Sequence, residues 1–171
     1  LLSEEFNNLK QFSTLSPIPG YRRWLDEALR SEGAALLTDE EAERMVAAIP
    51  GAPDPMPALR TMLARRNPWA DPLAGAAEPA LLRLCARYLL AESGANGRRA
   101  KDPVAHFHLS NGARVERLCP RGDVSEKGLR ESLGLMVNYL YDPDRIEENH
   151  ERYVGEGRRA AASALRRLLP G

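Results

Sequence analysis

Among 171 residues there are only two cysteines, Cys85 and Cys119, and three histidines. Two thiols build neither a disulfide framework nor a zinc knuckle, so a reducing compartment is the default setting. Net charge is missing as well: 24 Lys+Arg balance 24 Asp+Glu. The clustered positive excess that proteins use on nucleic acid or anionic membrane is therefore lacking, and neither partner is expected. Long apolar runs are also absent. Residues 80–85 and 87–91 are interrupted or preceded by Arg83 and Arg87 and fall far short of the ~20 residues of a membrane span. No signal peptide and no internal repeat are seen. What remains is a chain that is 43% hydrophobic, long enough for one globular domain with a core of its own.

The chain opens Leu1-Leu2-Ser3 without an initiator Met, inside a helical pattern of Leu2, Phe6 and Leu9. It is therefore expected to be a piece of a longer protein. Residues 12–16, Phe-Ser-Thr-Leu-Ser, predict a strand closed by Pro17-Ile18-Pro19-Gly20. Pro17 biases Ser16 toward extended backbone, so Ser16 should stand at the strand's carboxyl end, where α/β proteins bind ligands.

From Tyr21 to about Ser93 the pattern is helical. Tyr21, Trp24, Leu25, Ala28 and Leu29 form an apolar stripe ending at Gly33, a plausible C-cap. Thr38-Asp39-Glu40-Glu41 is a capping box. Pro57 and Pro79 each suit the first turn of a helix. The proline-rich joints between these helices are too short to be domain linkers.

The period then changes. Residues 104–109, Val-Ala-His-Phe-His-Leu, alternate, and Ser110-Asn111-Gly112 reads as a tight turn into a second strand at 113–118. A helix is expected from Asp123 or Ser125, with Leu129, Leu133, Met136, Val137 and Leu140 in register and Asn138 and Tyr141 together at its far end. A charged connector at 146–157 and a last helix at 158–169 complete the prediction.

In this hairpin reading His106 and His108 share one face of a strand, where they could begin a metal site completed by His150 or a carboxylate. With three histidines in all, the spacing favours packing and solvation over metal, and no metal is expected. Ser16 before a proline is ordinary turn chemistry, and no G-x-S-x-G elbow surrounds it. Trp24 and Trp69 read as packing residues. The pairs Arg158-Arg159 and Arg166-Arg167 could meet nucleotide phosphates, although paired charges on helices are usually solvated.

Several blocks carry a resemblance. They are residues 12–25 (Phe-Ser-Thr-Leu-Ser-Pro-Ile-Pro-Gly-Tyr-Arg-Arg-Trp-Leu), 102–113 (Asp-Pro-Val-Ala-His-Phe-His-Leu-Ser-Asn-Gly-Ala), 125–129 and 134–141 (Gly-Leu-Met-Val-Asn-Tyr-Leu-Tyr), followed by 147–150 and 153–157. In this order, over nearly the whole chain, they resemble malonyl-CoA decarboxylase, in the C-terminal part of its catalytic domain. The resemblance implies a mixed α/β fold, the C-terminal portion of a GNAT-like acyl-CoA-binding domain. In it a helical insertion, residues 21–101, separates a helix end and serine strand (1–20) from a histidine hairpin and C-terminal helices (102–171). It implies that a helical N-terminal domain and the turn holding the CoA pyrophosphate lie upstream of Leu1. Where the family shows Asn-Trp, this chain has Cys119-Pro120, so the turn there should be repacked.

The resemblance also assigns a site: Ser16 and His108 as the catalytic pair, Asn138 and Tyr141 in the substrate shell, and His106 without a role. The implied reaction converts malonyl-CoA to acetyl-CoA and CO2, with His108 protonating the nascent carbanion and Ser16 binding the malonyl group. The thioester is its own electron sink, so no cofactor is expected. A GNAT-type acyltransferase and a non-catalytic CoA-binding fragment are the alternatives. A homo-oligomer in a bacterial cytoplasm is expected, since the chain ends Leu168-Leu169-Pro170-Gly171 and not in a peroxisomal signal.

Overall fold

A computed structural model describes residues 11–95 and 97–170; the expected helix at the start of the chain lies outside them. Strand β1 (Phe12–Pro17) leads into α1 (Tyr21–Glu32), α2 (Asp39–Ala47), α3 (Met56–Ala64) and the long α4 (Ala74–Leu90). Then follow α5 (Pro103–Ser110), β2 (Arg114–Cys119), α6 (Glu126–Ser132), β3 (Met136–Tyr141), α7 (Ile146–Glu156) and the short α8 (Ser163–Arg166). The three strands form one antiparallel sheet in the order β1-β3-β2.

The helical stretch forms as its local signals predict. Tyr21, Trp24, Leu25, Ala28 and Leu29 are the buried stripe of α1, and Gly33 caps it with φ 57°. Tyr21 Oη donates to the Leu81 carbonyl at 2.6 Å, fastening α1 to α4. The capping box is present in both directions: the Glu41 amide donates to Thr38 Oγ1 at 3.1 Å and the Thr38 amide to Glu41 Oε1 at 3.0 Å. Pro57 sits in the first turn of α3. Pro79 does not open a helix; α4 starts at Ala74 and runs through it, forgoing one backbone bond to the carbonyl four residues back.

Glu41 also accepts from Arg83 through both carboxylate oxygens, at 2.7 and 2.8 Å, in the half-dry space between α2 and α4. Burial pushes its carboxyl up, but the bonds from Arg83 and Thr38 outweigh burial and hold it below 4.5. Its contribution is thus complete at neutral pH and fades as the carboxyl protonates in acid. Removing one partner of such a pair strands the other charge, so Glu41→Ala should lower the stability of the full-length gene product by about 3 kcal/mol, read from urea unfolding.

Three further sequence expectations are corrected. The histidine hairpin does not exist, because residues 103–110 are the helix α5. Asp102 accepts from the Ala105 amide at 3.0 Å as its N-cap, Pro103 occupies its first turn, and Ala105, His108 and Leu109 are buried at helical spacing. Asn111-Gly112 terminates this helix rather than joining two strands.

The single helix expected from about 125 to 141 is a helix and a strand. Ser125 caps α6 through the Gly128 amide, and consecutive left-handed residues, Leu133 (φ 56°) and Gly134 (φ 78°), end it. Beyond them Val137, Tyr139 and Tyr141 are buried at period two.

The ends of the chain exchange roles as well. The connector at 146–157 is α7, laced by Glu148 with Arg145 and Arg152 and anchored by buried Tyr153. The helix expected at 158–169 shrinks to α8, because residues 160–162 run beside β2. There the Val115 amide donates to the Ala160 carbonyl at 2.9 Å and the Ala162 amide to the Val115 carbonyl at 2.8 Å, covering the sheet edge.

Candidate active site

Alternation on β1 and its register with β3 create one continuous face. Phe12 pairs with Tyr141, Thr14 with Tyr139 and Ser16 with Val137, and cross-strand partners project to the same side. Helix α5 covers that face and lowers His108 onto it. The His108 ring stacks on Tyr139 with centroids 4.2 Å apart and planes 18° from parallel.

The result is a line of four polar side chains. Ser16 Oγ lies 3.0 Å from His108 Nε2, and Tyr141 Oη lies 2.6 Å from His108 Nδ1. Thr14 Oγ1 lies 3.2 Å from Ser16 Oγ. Ser16, His108 and Tyr141 are each more than nine-tenths buried, whereas Thr14 is half-buried at the open end. Phe12, itself exposed, stacks on Tyr141 at 4.7 Å with planes 2° apart.

Burial tunes the line. It pushes the His108 imidazole below its ordinary 6.5, so the ring rests neutral at pH 7, and it pushes the Tyr141 phenol up, so that group keeps its proton. The helix cap stabilises the arrangement from behind. Asp102, fully buried, accepts from Tyr88 Oη at 3.1 Å as well as from the Ala105 amide. Burial holds its carboxyl above 3.8 in spite of those bonds.

Of the other residues singled out in the sequence, Asn138 is not brought to this cluster. On a strand, positions 138 and 141 face opposite sides, and Asn138 Nδ2 instead donates to the Thr14 carbonyl at 2.8 Å. His106 sits two residues from His108 on a helix and so points away from it. Its Nδ1 lies 2.7 Å from Tyr153 Oη, whose oxygen also accepts from the Ala100 amide. His150 Nδ1 lies 2.5 Å from the Ser110 carbonyl, and among the described residues no three His, Cys, Asp or Glu side chains gather as a metal site.

Trp24 and Trp69 are held by hydrogen bonds to Glu92 and to the Leu133 carbonyl. Arg158, Arg159 and Arg166 line a cleft of about 540 Å³ that includes Arg114 and Arg152 but none of the Ser16 cluster. Arg159 is spent structurally there, donating to the Leu89 carbonyl and Ser93 Oγ. Thr14 is the member that sequence reasoning passed over; the signal was its position two residues before Ser16 on a predicted strand.

A small antiparallel sheet carrying the Ser16 hydroxyl and the Tyr141 phenol, with the His108 imidazole lowered between them from a capped helix, defines the class of this chain: a mixed α/β protein with a buried, hydrogen-bonded polar cluster on the sheet face. The family model described as the malonyl-CoA decarboxylase C-terminal domain matches residues 1–171, and the chain belongs to the malonyl-CoA decarboxylase family. The mitochondrial malonyl-CoA decarboxylase of Rattus norvegicus is 38% identical over 98% of this chain, and that of Anser anser anser is 35% identical over 90%. The crystal structure of malonyl-CoA decarboxylase from Rhodopseudomonas palustris matches 99% of the chain at 40% identity with a TM-score of 0.76. That from Agrobacterium vitis matches 99% at 35% identity with a TM-score of 0.75. The chain spans only about a third of these relatives: 35% and 31% of the rat and goose proteins, and 36% and 40% of the two crystallised chains.

Proposed function

We propose that the full-length gene product decarboxylates malonyl-CoA to acetyl-CoA and CO2, with the Ser16–His108–Tyr141 line as its proton path. The observation that carries the reading is the pair of contacts on one imidazole, Ser16 at 3.0 Å and Tyr141 at 2.6 Å, in a chain of this family. Both ring nitrogens are engaged, so His108 presents no free N–H to a substrate. This changes the expected role: the hydroxyl of Ser16 meets the carbanion, and His108 acts through it.

The polarity follows from the burial of Tyr141. Its phenol is a good donor whose hydrogen-bond partner in the site is Nδ1, and a buried hydroxyl proton without an acceptor is costly. Tyr141 therefore donates to Nδ1, the ring carries its proton on Nε2, and Nε2–H donates to Ser16.

In the reaction the bond between the α-carbon and the carboxylate breaks. CO2 leaves, and the electron pair stays on the α-carbon, delocalised into the thioester oxygen. The Ser16 proton passes to carbon, the Nε2 proton to Ser16 and the Tyr141 proton to Nδ1. Solvent then restores the Tyr141 proton and the imidazole, left protonated on Nδ1, relaxes back to its Nε2–H form, so the starting line is regenerated and each turnover consumes one proton. Positioned acid–base groups of this kind supply ~10²–10⁴ in rate.

The line requires neutral His108. An imidazolium would donate from both nitrogens and reverse the Tyr141 bond. Accordingly kcat/KM for malonyl-CoA should hold through neutral pH and fall as pH drops through a pKa below 6.5, in line with the direction of the His108 shift. A rate that instead climbs steadily into acid would mean that an imidazolium is the working acid and would overturn the path.

The rest of the protein enters this proposal too. The α1–α4 insertion between Ser16 and His108 stands where the family resemblance puts a helical insertion in a GNAT-like acyl-CoA-binding domain; upstream segments that hold CoA and a homo-oligomer belong to the proposal on that resemblance alone. A bacterial cytoplasm fits the bacterial sources of the crystallised relatives, whereas the curated relatives are named mitochondrial. Among the described residues no helix is long and apolar enough to cross a membrane.

A further inference from the structure

Thr14 belongs to neither the catalytic pair nor the substrate shell that the family resemblance implies, yet it completes the line. Its Oγ1 stands 3.2 Å from Ser16 Oγ, next to it on the same face of β1. Its backbone is fixed on the other side, where the Thr14 carbonyl accepts from Asn138 Nδ2 at 2.8 Å. The residue is thus held by the strand register and is only half-buried, in a part-buried contact with Ser16.

Counting protons shows what that hydroxyl does. Ser16 Oγ receives the Nε2 proton of His108 and has one proton of its own to place. If that proton turned toward the ring it would meet Nε2–H head-on. The acceptor on the other side is Thr14 Oγ1.

We propose that Thr14 is a positioning residue: it accepts the Ser16 proton and holds it on the open side of the site, aimed away from His108 and toward the space where the reacting carbon must come. This rests on the proton path proposed above, and it adds the element that gives the path its direction. Without Thr14 the Ser16 proton loses its acceptor and swings to the imidazole. Nε2 then accepts instead of donating, the ring proton moves to Nδ1, and Tyr141 must turn its own proton elsewhere. The direction of the whole line reverses, and the serine proton faces the wrong way.

The test uses Thr14→Val, which removes the hydroxyl but keeps the β-branched shape that suits a strand, and Thr14→Ser, which restores it. In the full-length gene product Thr14→Val should lower kcat for malonyl-CoA by about tenfold to a hundredfold, the scale of a misaligned reacting group, with KM little changed. Thr14→Ser should recover most of the loss. In a Ser16→Ala background Thr14→Val should cost no more than twofold further, because its target is gone.

A readout independent of activity comes from 15N NMR of the His108 ring. In the wild-type protein Nε2 should carry the proton; in Thr14→Val the Nδ1–H form should appear, and Thr14→Ser should return the ring to Nε2–H. Wild-type kcat and an unchanged tautomer in Thr14→Val would overturn the role of Thr14, as would an undiminished loss in the Ser16→Ala background. If the wild-type protein fails to decarboxylate malonyl-CoA while the tautomer responds as described, the substrate assignment falls and the positioning role stands.

Discussion

Replacing His108 by alanine in the full-length gene product should cut malonyl-CoA turnover by at least ~10²-fold, and Ser16→Ala should do the same. Steady-state assay of acetyl-CoA formation measures both. The size of the loss follows from the way the line is assembled. In the proposed path His108 links the hydroxyl that would meet carbon to the phenol that would resupply it, at 3.0 and 2.6 Å. Cutting it leaves Ser16 unable to regain a proton and Tyr141 with nothing to donate to. Groups that act as one unit lose nearly everything at the first deletion, so the double variant should be hardly slower than either single one. Both variants should fold. Alanine suits helix α5, whose cap at Asp102 and buried contacts at Ala105 and Leu109 are untouched. Wild-type-like turnover in either variant would remove it from the proton path.

The second large effect is on folding. Gly112→Ala should destabilise the protein by about 3 kcal/mol or more, read as a fall in the urea midpoint. Two costs combine at this residue. Its φ of 87° lies in the left-handed region, which charges a residue with a Cβ ~1–2 kcal/mol. A Cβ there would also stand 2.3 Å from the Ile146 carbonyl oxygen and 2.8 Å from the Ile146 side chain, and overpacking of that kind adds ~1–3 kcal/mol. Ile146 opens α7, which packs on α5. The substitution therefore strains the C-terminal end of the helix that carries His108, and reduced turnover should accompany the lost stability. A stability change within 0.5 kcal/mol of zero, roughly the range of a surface substitution, would show that the turn relaxes freely.

This glycine also marks where sequence reasoning parted from the fold. Asn111-Gly112 carries the signature of a hairpin turn, and the alternation of residues 104–109 agrees with it. The deciding signal lay upstream in Asp102-Pro103, a cap followed by a proline in the first helical turn, and a tertiary contact favours the same answer because Tyr88 holds the capping carboxylate. Residues 126–141 misled in the opposite direction. Leu129, Leu133 and Val137 recur at helical spacing, and only Gly134 hints that the chain reverses hand and becomes the central strand.

Elements whose evidence is local were legible: β1 before its prolines, the Thr38–Glu41 capping box, and the α1 stripe closed by Gly33. Ser16, His108 and Tyr141 entered through the family resemblance, since taken alone each residue had an ordinary structural explanation. The fold correction separates the members of that set. On a strand Tyr141 reaches His108 while Asn138 turns to the opposite face, and the hydroxyl that joins the line in its place, Thr14, follows from the two-residue repeat of β1.

The central claim is that this line protonates a carbanion left by departing CO2. The most direct measurement supplies the full-length gene product with malonyl-CoA in the presence of a primary-amine acceptor and quantifies CO2, acetyl-CoA and acylated amine together. The predicted result is CO2 and acetyl-CoA in equal amounts, at a rate indifferent to the amine. Acylated amine and free CoA without CO2 would instead identify an acyltransferase and contradict the account.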